Sequence, residues 1–383
     1  MENVYKWAAN LSEMYSLLED EQSKRLFWAR LQYDCEPNME NAIKLFELGD
    51  IDAAESFHWW SQITERAKML LQKGKKLFLY GASGVGQRIG EYLLKQGADF
   101  YAYCARNHEK YVNGVLGKAV YDPEYVFEHC QECYVLICSA ESSEEIYDIL
   151  MARHFPETQV MFWVRPVIHK TLTEHRYFEL SESLFNGKAF IDAGCYDLET
   201  SICFADWCGK KYSKIIAFEP DPKNFQKCCD IAKGAGLRIE LLSSGLSEKS
   251  GEKTFSARSA SGSRIVGDEA MPADGKKRNT GSEVIQIKTA ALDDVATETE
   301  VGFIKMDIEG AELDALYGAK NTIVRDKPLL AVCVYHKSGD ILAIMDYLHC
   351  VLPEYRFKLR HYNGAGVVGS ETVLYAFVPA SQS

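Results

Sequence analysis

Twice in this chain an apolar run ends in a glycine-bearing turn and passes into an amphipathic stretch: "KKLFLYGASGVGQRIGEYLLKQG" from residue 75 and "GKAFIDAGCYDLETSICFADWCG" from residue 187. Such a change from a buried run to helical periodicity across a tight turn specifies strand, turn and helix, the opening of a βαβ unit on a parallel sheet. Two separated openings specify two α/β domains. The length of 383 residues agrees, because a single core stops growing at about 250–300 residues.

Ahead of the first opening, residues 1–70 carry apolar residues at helical intervals, as in "WAANLSEMYSLLED", and read as a helical extension. The aromatics of "FHWW", 57–60, read as a helix face packed on the next domain. In the first α/β domain, 71–165, strand 76–80 runs into Gly81, Gly84 and Gly86, a GxxGxG spacing rather than the GxGxxG of dinucleotide sites. Its second strand, "DFYAYCARN", ends without the acid that holds a ribose and offers Arg106 instead. "CYVLICSA", 133–140, and "SEEIYDILMARH" read as a further buried strand and its helix. The domain resembles the small Rossmann-like domains that precede some sugar-modifying and methyl-transferring enzymes. A scaffold or degenerate nucleotide site is expected rather than a working NAD site. Residues 166–186 read as a linker and 187–383 as the second domain.

Charge and composition narrow the partners. With 43 basic against 55 acidic residues the net charge is -12, which argues against a general nucleic-acid binder. No apolar run approaches the roughly 20 residues that span a bilayer. The twelve cysteines are scattered and the N-terminus lacks a signal pattern, so reduced thiols in a cytoplasmic chain are expected. "CQEC" at 130–133 has metal or redox spacing but no second pair at zinc-finger distance, and incidental cysteines are the preferred reading.

In the second domain Asp192 and Gly194 sit on the turn after the first strand. Glu219, 27 positions on, ends the second strand, "SKIIAFEPD", where a carboxylate can accept both hydroxyls of a ribose. "RIELLSSGL" reads as a third strand, and the polar segment 256–283 as a long loop beside the site. "FIKMDIEGAEL", 303–313, is an apolar strand that ends on Asp307, with Glu309 and Glu312 close behind. "PLLAVCVYHKSGD" is another buried strand, ending at His336, and "YRFKLRHYNG" with "ETVLYAFVPA" reads as an antiparallel closing pair.

These stretches resemble the FkbM-type methyltransferases. The likeness covers about 187–378 and rests on "FIDAGCYDLET", "IIAFEPDPKNF", "GLSEKSG", "ALDDV", "FIKMDIEGAELDALYGA", "PLLAVCVYH" and "LYAF", in the family's order. It implies a Rossmann-like seven-stranded methyltransferase sheet with an antiparallel closing strand, S-adenosylmethionine as cofactor, and O-methylation of sugars, glycoconjugates or natural products. By the resemblance Asp192, Gly194, Tyr196, Thr200, Glu219, Asp221, Gly245 and Asp307 line the cofactor. One departure is Leu198, where relatives usually carry a second glycine.

Ligands of open α/β sheets bind beyond the carboxyl ends of the strands, so Asp307, Glu219 and Asp192 are expected at one crevice, where carboxylates attract a sulfonium and an ammonium group. Asp307 is alternatively a helix cap. Glu309 is expected near the acceptor, and Glu312 as a helix-start acid. His336 is a candidate general base with an ordinary pKa of about 6.5. Asp307, Glu309 and His336 form the catalytic expectation; a divalent metal on the same three ranks below it. The leading function is methyl transfer from S-adenosylmethionine to an acceptor hydroxyl. The alternatives are a non-catalytic nucleotide or sugar-nucleotide binder on a decayed methyltransferase fold, which Leu198 favours, and a dehydrogenase using the first glycine turn.

Overall fold

A computed structural model describes residues 10–49, 59–139, 142–163, 176–257, 264–265, 283–362 and 369–379. The chain divides into two compact units. One spans Arg25–Arg176 with His361–Glu371, and the other holds Tyr177–Arg360, Thr372 onward, and the segment ending at Lys24.

The first unit is built on five parallel strands, β1 (Lys76–Tyr80), β2 (Ala102–Cys104), β3 (Val120–Tyr121), β4 (Cys133–Ile137) and β5 (Val160–Phe162), in the order β3-β2-β1-β4-β5. This is the strand order of the first five strands of a doubly wound dinucleotide sheet. Helices Met39–Gly49 and Trp59–Gln72 belong to the same unit, so the chain from 25 onward is continuous with this sheet rather than apart from it. The helix after the glycine turn runs Gly84–Lys95. Gly86 is required where that helix meets β1, since a Cβ there would stand 1.9 Å from the Gly81 carbonyl oxygen. Phe78, Tyr80, Cys104, Val135, Ile137 and Leu150 form the core on one face. Arg106, after β2, is ion-paired with Glu145 at 2.6 Å.

The second unit begins its main sheet with β6 (Ala189–Ala193), β7 (Ile215–Phe218) and β8 (Ile239–Leu242). Four shorter strands follow, β9 (Gly245–Leu246), β10 (Gly251–Ala257), β11 (Arg264–Ile265) and β12 (Glu283–Ala290), in a separate sheet ordered β11-β10-β12-β9. The main sheet resumes with β13 (Val301–Met306), β14 (Leu329–Cys333), β15 (Arg356–His361) and β16 (Thr372–Phe377). Its order is β15-β16-β14-β13-β6-β7-β8, with β16 antiparallel to β14. The expected seven-stranded sheet with an antiparallel closing strand is therefore present. The stretch expected as one third strand, 238–246, is instead divided between two sheets: β8 pairs with β7, and β9 pairs with β12. Most of the polar segment 256–283, and residues 166–175 of the expected linker, lie outside the described residues.

Every residue of β6, β13, β14 and β16 is buried, as central strands covered on both faces must be. Phe190 of β6 stacks on Phe204 at 4.0 Å between ring centroids, and Phe303 of β13 packs edge-on at 5.4 Å from Phe190. These rings fix the inner ends of β6 and β13. Their carboxyl ends are thereby held side by side.

Candidate active site

The loop after β6 is the tightest part of the second unit. Gly194 has φ +77°, and a Cβ on it would lie 2.0 Å from the carbonyl oxygen of Asp307, so only glycine lets the two strand ends approach this closely. Backbone bonds tie the ends together: Gly194 N–H donates to Phe218 O (3.0 Å) and Asp307 N–H to Ala193 O (3.2 Å). Tyr196 (φ +50°) and Leu198 (φ +63°) also take left-handed backbone conformations. Leu198 thus stands where glycine is the unstrained choice, and its side chain is wholly buried.

Beneath this loop runs an ionic ladder. Asp192 is 0% exposed and both its oxygens are bonded within the protein, Oδ1 to Lys305 Nζ (3.1 Å) and Oδ2 to Ser201 Oγ–H (2.7 Å). Lys305 is 2% exposed and donates also to the carbonyl oxygens of Ala193 (3.1 Å) and Gly194 (2.7 Å). Burial works against its charge, but Asp192 and then Asp307 raise its pKa all the same. Its Nζ lies 5.2 Å from the ring centre of Tyr177. Asp192 is thus the anchor of the turn and has no outward face.

Glu219 ends β7, 6% exposed, and its oxygens accept from Tyr196 N–H (3.0 Å) and Asp221 N–H (2.9 Å). Burial raises its pKa against these bonds. Each oxygen keeps a lone pair, the capacity a ribose diol needs. Asp221 caps helix Pro222–Ala235, with Oδ1 accepting from Lys223 N–H (2.8 Å) and Asn224 N–H (3.1 Å). Thr200 lies in the first turn of helix Glu199–Trp207, partly buried. Gly245 belongs to the small sheet, paired with Thr289, at φ values open to any residue.

Asp307 gathers several side chains around its carboxylate. Its Oδ2 accepts from Tyr177 O–H (2.6 Å), its Oδ1 from Tyr335 O–H (3.4 Å), and His336 Nε2 stands 3.4 Å from Oδ1. Glu309, in a left-handed conformation (φ +57°) before Gly310, brings Oε2 to 3.7 Å from the same ring nitrogen. On the other side of the ring Glu312 Oε1 lies 2.9 Å from Nδ1 and accepts from Ile308 N–H. Glu312 opens helix Glu312–Tyr317, as the helix-start acid expected from the sequence, and at 1% exposed it is also a buried partner of the imidazole. Asp340 adds a further acid, pushed up to about 6 by burial and then by Glu312.

The imidazole of His336 responds to this surrounding. Burial lowers its pKa, but Glu312, Asp307 and Glu309 outweigh it and hold it at about 9. The ordinary value expected from the sequence is therefore replaced by a ring that is charged at neutral pH. For a histidine raised in the fold, the stabilisation is complete below the unfolded value of about 6.5 and is lost as pH climbs through the folded one. The ligand-free protein should accordingly melt at progressively lower temperature between pH 6.5 and 9, and His336→Gln should flatten that slope. Parallel melting curves for the two proteins over this range would remove the ion cluster from consideration.

Sequence reasoning missed Tyr177, which lies in the stretch taken as linker and carries no signal of its own. It also passed over Lys305, although one cation inside the apolar run "FIKM" is such a signal: a lysine in a buried strand needs an acidic partner beside it.

A seven-stranded sheet of this order, with an acid ending the second strand and a glycine loop after the first, defines the class of S-adenosylmethionine-dependent methyltransferases. Residues 192–359 match the family described as the methyltransferase FkbM domain. No curated protein matches the chain. Among solved structures, the chain is similar to the methyltransferase FkbM of Methylobacillus flagellatus (17% identity, 83% of this chain and 99% of that one, TM-score 0.44). It is also similar to an O-methyltransferase of Bacillus cereus in complex with SAH (13%, 62% and 91%, TM-score 0.32). A third likeness is to the fibrillarin of Aeropyrum pernix with natively bound S-adenosyl-L-methionine (10%, 56% and 75%, TM-score 0.30).

Proposed function

We propose that the second unit transfers the methyl group of S-adenosylmethionine to a hydroxyl of a small-molecule or carbohydrate acceptor. The observation that carries this reading is the meeting of Gly194, Glu219 and Asp307 at the carboxyl ends of three adjacent strands, β7, β6 and β13. The residues fit the cofactor: a glycine cradle that no Cβ could share, a buried carboxylate with lone pairs to spare, and an acidic edge for a cationic ligand. Bound there, S-adenosylmethionine supplies an electrophilic methyl group on a positively charged sulfur.

The chain's own residues do the rest. Glu219 accepts the ribose hydroxyls and holds Tyr196 in the loop. Lys305 and Asp192 fix the turn from below. Tyr177 and Tyr335 orient Asp307, and Asp307 with Glu309 receives the proton that the acceptor hydroxyl sheds. His336, already charged at neutral pH, holds these carboxylates together rather than taking the proton itself. Leu198 favours the second reading, a non-catalytic binder, only insofar as its backbone is strained; its side chain is wholly buried.

Glu219→Gln should weaken S-adenosylmethionine binding by tenfold or more, because one ribose acceptor becomes a donor and one backbone N–H loses its partner. Calorimetry with S-adenosylmethionine and its demethylated product on a variant of unchanged circular dichroism decides the matter. An affinity equal to wild type would discard this cofactor site.

A further inference from the structure

Five acids, Asp192, Asp307, Glu309, Glu312 and Asp340, stand around three cations, Lys305, His336 and Lys337, at and just beyond the ends of β6, β13 and β14. Lys305 is spent on Asp192 and two carbonyl oxygens. That leaves His336 and Lys337 among four carboxylates, two of them largely buried, so more acids than cations remain to be partnered. Asp307, Glu312 and His336 each bring a donor atom to within 4.8 Å of the others. Such spacing closes onto one ion with side-chain rotation, since cis donors of a 2.1 Å coordination sphere stand about 3 Å apart.

A second observation points the same way. Glu312, 99% buried by its side chain, has an oxygen, Oε2, with no hydrogen-bond partner among the described residues, and His336 Nδ1 is likewise without one, being near Glu312 Oε1 but out of line for a hydrogen bond. Unsatisfied polar atoms this deep are costly, and two of them in one three-residue cluster mark the place of an absent group.

We infer that Asp307, Glu312 and His336 bind a divalent cation of the Mg²⁺ or Mn²⁺ class, with Glu309 on the open side of the site. The ion binds in exchange for the proton that the imidazole otherwise carries. Two carboxylates and one imidazole without a thiolate suit these harder ions. Asp307 and Glu309 are partly exposed at 22% and 34%, so the ion keeps positions for water or an acceptor oxygen. The ion's role in catalysis rests on the methyl-transfer reading: an acceptor hydroxyl bound to it sheds its proton to Glu309 more readily, and the oxygen is left as the nucleophile. The binding itself does not depend on that reading.

The test is Mn²⁺ titrated into the full chain, followed by electron paramagnetic resonance, with Mg²⁺ as competitor and S-adenosylmethionine binding measured on the same sample. One Mn²⁺ per chain in the micromolar range is expected, displaced by Mg²⁺ and showing ¹⁴N hyperfine coupling from one imidazole. Glu312→Gln and His336→Gln should each lose at least tenfold in affinity. To separate loss of the site from loss of the fold at these buried positions, Glu309→Gln serves as a milder third, expected to lose severalfold. No Mn²⁺ bound at millimolar concentration, binding without ¹⁴N coupling, or affinity unchanged in folded variants overturns the site. Mn²⁺ bound as described with no affinity for S-adenosylmethionine leaves the ion and removes the methyl-transfer reading.

Discussion

Lys305→Met should be among the most destabilising single changes available in this chain, costing about 3–5 kcal/mol of the second unit's stability. The methionine fits the volume of the lysine stem but leaves Asp192 charged and wholly buried with Ser201 as its remaining partner, and it removes the donors of Ala193 O and Gly194 O. Asp192→Asn alone strands the lysine in the same way, though Asp307 remains within reach of its field. The double variant Asp192→Asn/Lys305→Met removes both charges, so its cost should fall well below the sum of the singles. Urea unfolding of the four proteins gives the coupling energy. If the costs simply add, the pair is not the buried ion pair described.

The second large effect is expected at Asp307. Asn preserves its shape and can still accept from one tyrosine, but it takes away the charge that faces Lys305, His336 and the ligand. S-adenosylmethionine affinity should fall by tenfold or more, and turnover should fall further still, since the proton acceptor is lost along with the electrostatic partner of the positively charged sulfur. Stability should change less than for Lys305→Met, because Asp307 is partly exposed. Calorimetry measures the first part without knowledge of the acceptor, and single-turnover assays the second once an acceptor is in hand. Loss of turnover with wild-type affinity would confine Asp307 to proton transfer; wild-type behaviour in both would remove it from the site.

Where the sequence was legible, the reason is local. An all-apolar run that ends on an acid or a glycine defines a buried strand and its carboxyl end at once, and "AFIDAG", "IIAFEP" and "FIKMD" each did so. What the strands place together across the sheet was less accessible. Asp192 read as a ligand because it follows an apolar run, but the register that sets Lys305 beside it belongs to the pairing of β6 with β13, which no local window contains. Glu312 read as a helix-start acid for the same reason, and its imidazole partner lies on the far side of another strand and helix. Tyr177 could not be found at all: a tyrosine in a polar connection has no pattern, and only the fold brings its hydroxyl to Asp307. The break between β8 and β9 falls at "SSG", a turn signal inside "LLSSGL" that a reading of one continuous strand passed over.

The placing of β16 between β14 and β15 has a consequence for synthesis on the ribosome. Both neighbours are made before it, and until residues 372–377 have emerged β14 shows an open backbone edge, all of whose side chains are destined for the interior. A nascent chain stalled after β15 therefore presents a flat, apolar template to other such chains, the kind of edge through which β proteins aggregate. Loss of Thr372–Phe377 would leave the sheet open between β14 and β15, so the folding of the second unit waits on this strand.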